Sequence, residues 1–179
     1  MIEVSPRLYV GSMLDYERRV KEQPGWYVVQ AAKEPYHREA LNYKSQGAPR
    51  DHLEYLYAQR DNRLILNMVD VDNHKYFDAD MIEAALTFIH DMLSGNPVCK
   101  VLVHCNQGHS RAPSLALLYL RRHDPEFADL SFADGVRRFK SFYRHYEPAA
   151  GIRDYLKLNW DNADVGGRLS GRDDTSIRA

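Results

Sequence analysis

The stretch VCKVLVHCNQGHSRAPS, residues 98–114, constrains this chain more than any other. Val98 to Val103 is nearly all apolar, the pattern of a strand buried on both faces. His104 to Ser110 is polar and centred on Gly108. Arg111 to Arg122 then carries Leu115, Ala116, Leu117, Leu118 and Leu120, apolar on most sides of a helix. A doubly buried strand passing through a short loop into a buried helix belongs in an α/β fold, which limits what the rest of the chain can be.

The other segments fit that frame. Pro6 to Ser12 (PRLYVGS) and Trp26 to Ala31 (WYVVQA) read as strands, rich in aromatic and β-branched residues. Asp15 to Glu22 is charged and compatible with a helix. Leu64 to Val71 (LILNMVDV) is a third strand. From Ala79 to Leu93, the residues Met81, Ile82, Ala85, Phe88, Ile89, Met92 and Leu93 recur at helical spacing, and Ser94-Gly95-Asn96-Pro97 stops the run. Ser131 opens another helix, Pro148 breaks it, and Ile152 to Trp160 forms the last. Lys33 to Asp61 is polar and tyrosine-rich with weak periodicity, and reads as loop with some helix. The order predicts an α/β fold with a mostly parallel or mixed central sheet flanked by helices. Residues 1–160 form one expected domain. The Gly-, Asp- and Arg-rich segment 161–179, almost without apolar residues, is an expected disordered tail.

Composition narrows the function classes. A chain of 179 residues, 44% hydrophobic, supports one domain with a real core. Lys+Arg is 24 against Asp+Glu 25, so no overall charge draws the chain to nucleic acid or membrane, and any attraction for an anion must be local. MIEVSPRLYVG lacks the basic start and apolar run of a secretory leader. Two cysteines, Cys99 and Cys105, do not make a disulfide framework. The expectation is a cytoplasmic protein whose thiols stay reduced.

Cys105 stands where such a strand ends, the place where open α/β sheets bind ligands. Gly108 permits backbone angles that turn N–H groups inward, and a helix starting near Arg111 adds unsatisfied N–H groups and its positive dipole end. Pro113 suits the first helical turn. Asn106, Gln107, Gly108, His109, Ser110 and Arg111 are therefore an expected phosphate-binding loop. The same donors favour the thiolate form of Cys105, the nucleophilic form. Arg111 offers a planar fork for two phosphoryl oxygens. A zinc site from Cys99, His104, Cys105 and His109 lacks the paired ligand spacing, so no metal is expected. Cys99 reads as a small core residue. Phosphoryl transfer to a thiolate also needs an acid for the leaving oxygen. Asp70 and Asp72, just after the third strand, are the candidates, and strand alternation puts both on one side.

His104-Cys105, five residues, then Arg111 resembles the signature of the cysteine-based protein tyrosine phosphatases. Leu8-Tyr9-Val10-Gly11-Ser12, the helix from Met81 to Leu93 and the stretch from Arg144-His145-Tyr146-Glu147-Pro148 to Leu156 are similar to the dual-specificity branch. The resemblance covers roughly residues 5 to 160, with 33–61 the least matched. It implies a dual-specificity phosphatase-like architecture and a phosphomonoester hydrolase without cofactor. It implies catalytic Cys105 and Arg111, and Asp72 rather than Asp70 as the acid, 33 residues before Cys105. His104 and Ser114 are expected in supporting roles. The implied substrates are phosphoproteins, carrying phosphotyrosine and phosphoserine or phosphothreonine.

One position departs from the family pattern. A Ser or Thr usually follows the signature arginine and stabilises the departing thiolate, and here that residue is Ala112, with Ser110 or Ser114 as possible substitutes. This admits a second class, a phosphoprotein-binding module with little turnover. A third class is a phosphatase of a phosphoinositide or an RNA 5′ end; Asn106 and His109 in place of loop lysines disfavour the phosphoinositide. His109 reads either as a solvent-facing loop residue or as a group favouring extra negative charge. Tyr36, Tyr43, Tyr55 and Tyr57 read as surface packing or as walls of a substrate groove.

Overall fold

In a computed structural model, residues 1–162 are described. The strands are β1 (Ile2–Ser5), β2 (Leu8–Ser12), β3 (Trp26–Gln30), β4 (Tyr57–Arg60), β5 (Arg63–Leu66) and β6 (Lys100–Cys105). The helices are α1 (Met13–Arg19), α2 (Arg38–Leu41), α3 (Ala79–Gly95), α4 (Arg111–His123), α5 (Pro125–Ala128), α6 (Phe132–Phe142) and α7 (Ala150–Asn159). One sheet in the order β1-β2-β6-β3-β5-β4 joins the strands. The four inner strands are parallel and the two edge strands antiparallel, so the expected mixed sheet is present.

β6 lies at the centre because it can bury both faces. Val101 and Val103 join the larger core with Val29, Leu64 and Leu66, under residues of α3, α4, α6 and α7. Leu102 points the other way, to a smaller core with Val28, Ile65 and Tyr16 of α1. The helix α4 is buried from Arg111 through Arg121, as its apolar run requires. Trp160, behind α7, donates its indole N–H to the Leu130 carbonyl, and its ring fills the space left by Gly135.

Three local readings are corrected. The first strand is a hairpin: Ile2–Ser5 pairs antiparallel with β2, and Arg7 takes the turn at φ 66°, its N–H donating to Glu3 Oε1. Two short runs of mixed polarity carry little periodicity, which hid the edge strand. The segment 33–61 contains β4, paired to β5 through a tight turn with Asp61 at φ 51°. The third strand ends at Leu66, and Asn67 then donates its backbone N–H to the Leu56 carbonyl and its amide to the Tyr55 carbonyl. That early exit turns Met68 to Asn73 into a loop over the C-terminal end of the sheet. No described helix is long and apolar enough to cross a membrane. The expected disordered tail lies, from residue 163 onward, outside the described residues.

Candidate active site

Cys105 is the last residue of β6, level with Ser12 of β2, and is 2% exposed. The chain then loops through Asn106–Ser110 into α4. Gly108 sits at φ 79°, and a Cβ there would lie 2.9 Å from the Gly11 carbonyl carbon and oxygen, so only glycine lets the loop close onto β2. The loop is tied on the same side by Met13 N–H, which donates to the Asn106 carbonyl at 3.2 Å. The N-cap residue of α4, Ser110, makes no side-chain cap. The N–H groups of the first turn of α4 therefore keep their capacity for an anion.

Arg111 is held from several directions. Its Nη1 donates to the carbonyls of Ala31 (2.8 Å) and Met68 (2.9 Å), just past the ends of β3 and β5. Its Nη2 donates to Asn106 Oδ1 (2.7 Å) and its Nε to Asp70 Oδ2 (2.9 Å). The side chain is 8% exposed, so the guanidinium is fixed in plane rather than free in solvent. Asp70 also accepts the Ser110 hydroxyl at 2.6 Å.

A third segment, between α6 and α7, braces the loop from outside. Tyr143 Oη donates to the Gly108 carbonyl (2.8 Å), Glu147 N–H to the His109 carbonyl (2.8 Å), and Ala149 N–H to Ser110 Oγ (3.0 Å). Burial, with the nearby Cys105 and Asp15, raises the Tyr143 pKa strongly, which keeps its hydroxyl a donor. The periodicity of α6 and the break at Pro148 locate this segment, but nothing in its spacing points to these bonds. The open cavity between loop and segment measures about 470 Å³, with Cys105 and Arg111 in its wall beside Asp70, Asn106, His109 and Glu147.

The remaining candidates fall in different places. Asp72 is exposed, lies outside that wall and its carboxylate accepts no hydrogen bond among the described residues. His104 is fully buried, its ring stacked on Tyr16 (4.9 Å between centroids, 7° between planes) and meeting Tyr36 edge-on at 5.2 Å. Burial drives its pKa down to about 4, so the ring is neutral at pH 7. Ser114 Oγ is 3.1 Å from Tyr146 Oη, both buried. Gln107 and His109 are exposed at the rim, and the His109 ring lies nearly parallel to that of His145 at 5.8 Å. Cys99 is core, its thiol donating to the Met92 carbonyl. Tyr36 and Tyr43 are buried and Tyr57 exposed, and none of the four tyrosines lines this cavity.

No protein-family model matches the chain, and no curated protein matches it in sequence. Solved structures match over almost the whole fold. DUSP15 shares 19% identity at a TM-score of 0.61, over 92% of this chain and 90% of that one. The Yvh1 phosphatase domain from Chaetomium thermophilum shares 21% at 0.60, over 90% and 94%. The human tyrosine phosphatase-like serine/threonine/tyrosine-interacting protein shares 20% at 0.58, over 88% and 93%. The chain has the fold of the dual-specificity phosphatases.

Proposed function

We propose that this protein is a phosphomonoester hydrolase that removes phosphate from phosphoproteins through a phosphocysteine intermediate. The observation that carries the reading is the shared cavity: the Cys105 end of β6 and the immobilised Arg111 fork belong to one loop at one helix start. In the first step the Cys105 thiolate attacks phosphorus, the P–O bond to the substrate breaks, and the leaving oxygen takes a proton from Asp72. The one Nη2 N–H that the four bonds of Arg111 leave, together with the loop N–H groups, holds phosphoryl oxygens as charge moves through the transition state. In the second step Asp72, now a carboxylate, takes a proton from water, which attacks the phosphocysteine and releases inorganic phosphate and the thiolate. The scheme requires no cofactor.

Asp72 rather than Asp70 is the proposed acid because both Asp70 oxygens accept bonds from the phosphate loop, leaving it an anchor. A wall carrying Asp70 and Glu147 and no lysine suits a single phosphate on a side chain better than a polyanionic head group. Phosphotyrosine and phosphoserine or phosphothreonine are the proposed substrates. A reducing cytoplasm, which keeps Cys105 a thiol, is the proposed location, and residues 1–160 the proposed catalytic domain. The test is hydrolysis of an aryl phosphate and of phosphotyrosine and phosphothreonine peptides, with Cys105→Ser as control. Cys105→Ser is expected to lose on the order of 10³-fold or more in kcat while still binding inorganic phosphate. Equal turnover by the variant refutes the nucleophile.

A second reading keeps one specific footing. Ala112 removes the hydroxyl that would assist the second step, and a neighbouring fold is that of a protein described as phosphatase-like. A phosphopeptide-binding module would bind the same peptides with no phosphate release in that assay.

A further inference from the structure

The loop that carries Asp70 and Asp72 lies beyond the end of β5 and rests on the first turn of α7. Gly151 N–H donates to the Val71 carbonyl at 3.0 Å. Two residues earlier, Ala149 N–H donates to Ser110 Oγ, and Ser110 donates to Asp70 Oδ1. One helix start therefore holds the phosphate loop with one backbone N–H and the acidic loop with another. The approach at Gly151 is so close that a Cβ would lie 2.3 Å from the Val71 oxygen, 3.1 Å from the Asn73 carbonyl carbon and 3.1 Å from Phe77 Cε2. Backbone atoms cannot yield as a flexible side chain would, so any side chain at 151 must push the 71–73 segment away.

We propose that Gly151 is a positioning residue that sets the height of the acidic loop, and so of Asp72, above Cys105. This rests on the reading of Asp72 as the proton donor. The helix touches no substrate; it acts through the loop. Its glycine allows the Val71 carbonyl to approach the helix axis, and the Ala149–Ser110 bond gives both loops a common reference. A displaced acid loses proton transfer while leaving the nucleophile and the phosphate clamp in place.

Such a role has a signature that general loosening does not. Proton donation matters most for a poor leaving group, such as the phenoxide of phenyl phosphate, and little for a strongly activated dinitrophenyl phosphate. Gly151→Ala is expected to lower kcat/KM for phenyl phosphate by about tenfold and for the activated ester by no more than about twofold. The competitive inhibition constant of inorganic phosphate is expected to stay within about twofold. Asp72→Asn alone is expected to show the same contrast, larger, and Gly151→Ala added to it to cost phenyl phosphate nothing further. Phe77→Leu, which withdraws the ring packed beside the 151 position, provides a second disturbance of the support under the 71–73 segment if Gly151→Ala does not fold, with the same direction expected.

Equal losses on both esters, or none, in Gly151→Ala or, failing that, Phe77→Leu overturn the proposal. If Asp72→Asn shows the contrast and the position-151 variant does not, the clamp is wrong and the acid assignment stands. If the position-151 variant shows the contrast and Asp72→Asn does not, the clamp stands and the acid is another carboxylate of that loop.

Discussion

Asp70 is bound to Arg111 across 41 residues of chain: its Oδ2 accepts the Nε–H at 2.9 Å, while its other oxygen takes the Ser110 hydroxyl. One carboxylate thereby grips the last two residues of the segment from Asn106 to Arg111. The bond offsets the charge of an arginine that is mostly withdrawn from water.

Asp70→Ala is expected to lower kcat/KM by about tenfold, because Arg111 keeps its bonds to Ala31, Met68 and Asn106. The loss should be the same for good and poor leaving groups, since the phosphate clamp and not proton transfer is affected. Steady-state kinetics on two aryl phosphates check this, and a loss confined to the poor leaving group would make Asp70 the acid. Asp70 is more than a third exposed, so the cost in stability is only about 1 kcal/mol.

Ala112 predicts a slow second step. Ser110 Oγ is committed to Asp70 and Ala149, and Ser114 Oγ to Tyr146, so neither stands in for the missing hydroxyl. Rapid mixing with an aryl phosphate should show a burst of phenol followed by a slow steady state. Ala112→Ser should raise the steady-state rate by roughly tenfold. Turnover without a burst, limited by the first step, counts against the idea.

Ser114 and Tyr146 should prove coupled in stability. Tyr146→Phe leaves a buried Ser114 hydroxyl without its partner, at a cost of about 1–2 kcal/mol. In Ser114→Ala the same tyrosine change should cost less, because no hydroxyl is then stranded. Denaturant unfolding of the four variants yields the coupling directly. Additive costs would mean that the hydroxyl pair contributes nothing.

His104 makes stability depend on acid. Its pKa falls from 6.5 to about 4 through burial. Between those values the unfolded chain binds a proton that the folded chain does not, so stability rises with pH across this window. The contribution is complete above pH 6.5, is lost as pH falls to about 4, and amounts to about 3 kcal/mol. Unfolding free energies at pH 4.5 and 7 should differ less in His104→Asn than in the parent protein. An unchanged difference would remove His104 as the cause.

The central strand, its loop and the helix after it were legible because burial on both faces leaves an uninterrupted apolar run, and because Gly108 and Pro113 mark where backbone angles change. The edge strands β1 and β4 were not. Each is short and half solvated, joined to its partner by a turn at Arg7 or at Asp61, and its few residues carry little periodicity. The bonds of Glu147, Tyr143 and Ala149 to the loop were not legible for a related reason. Two of these three contact the loop through backbone N–H groups, which every residue possesses and no residue type advertises.

The order of residues by itself determined which groups share one loop: Cys105 and Arg111 have to lie at a strand end and a helix start because both elements are too apolar to be anything but buried. Only the tertiary structure decided where the two aspartates lie. Asp70 and Asp72 are equivalent by alternation, but β5 ends at Leu66, the chain lifts off the sheet, and the loop drops onto Gly151. That path delivers Asp70 to Arg111 and leaves Asp72 in solvent. Periodicity encodes which face of an element is dry; where a loop lands is set by long-range contacts that no local pattern records.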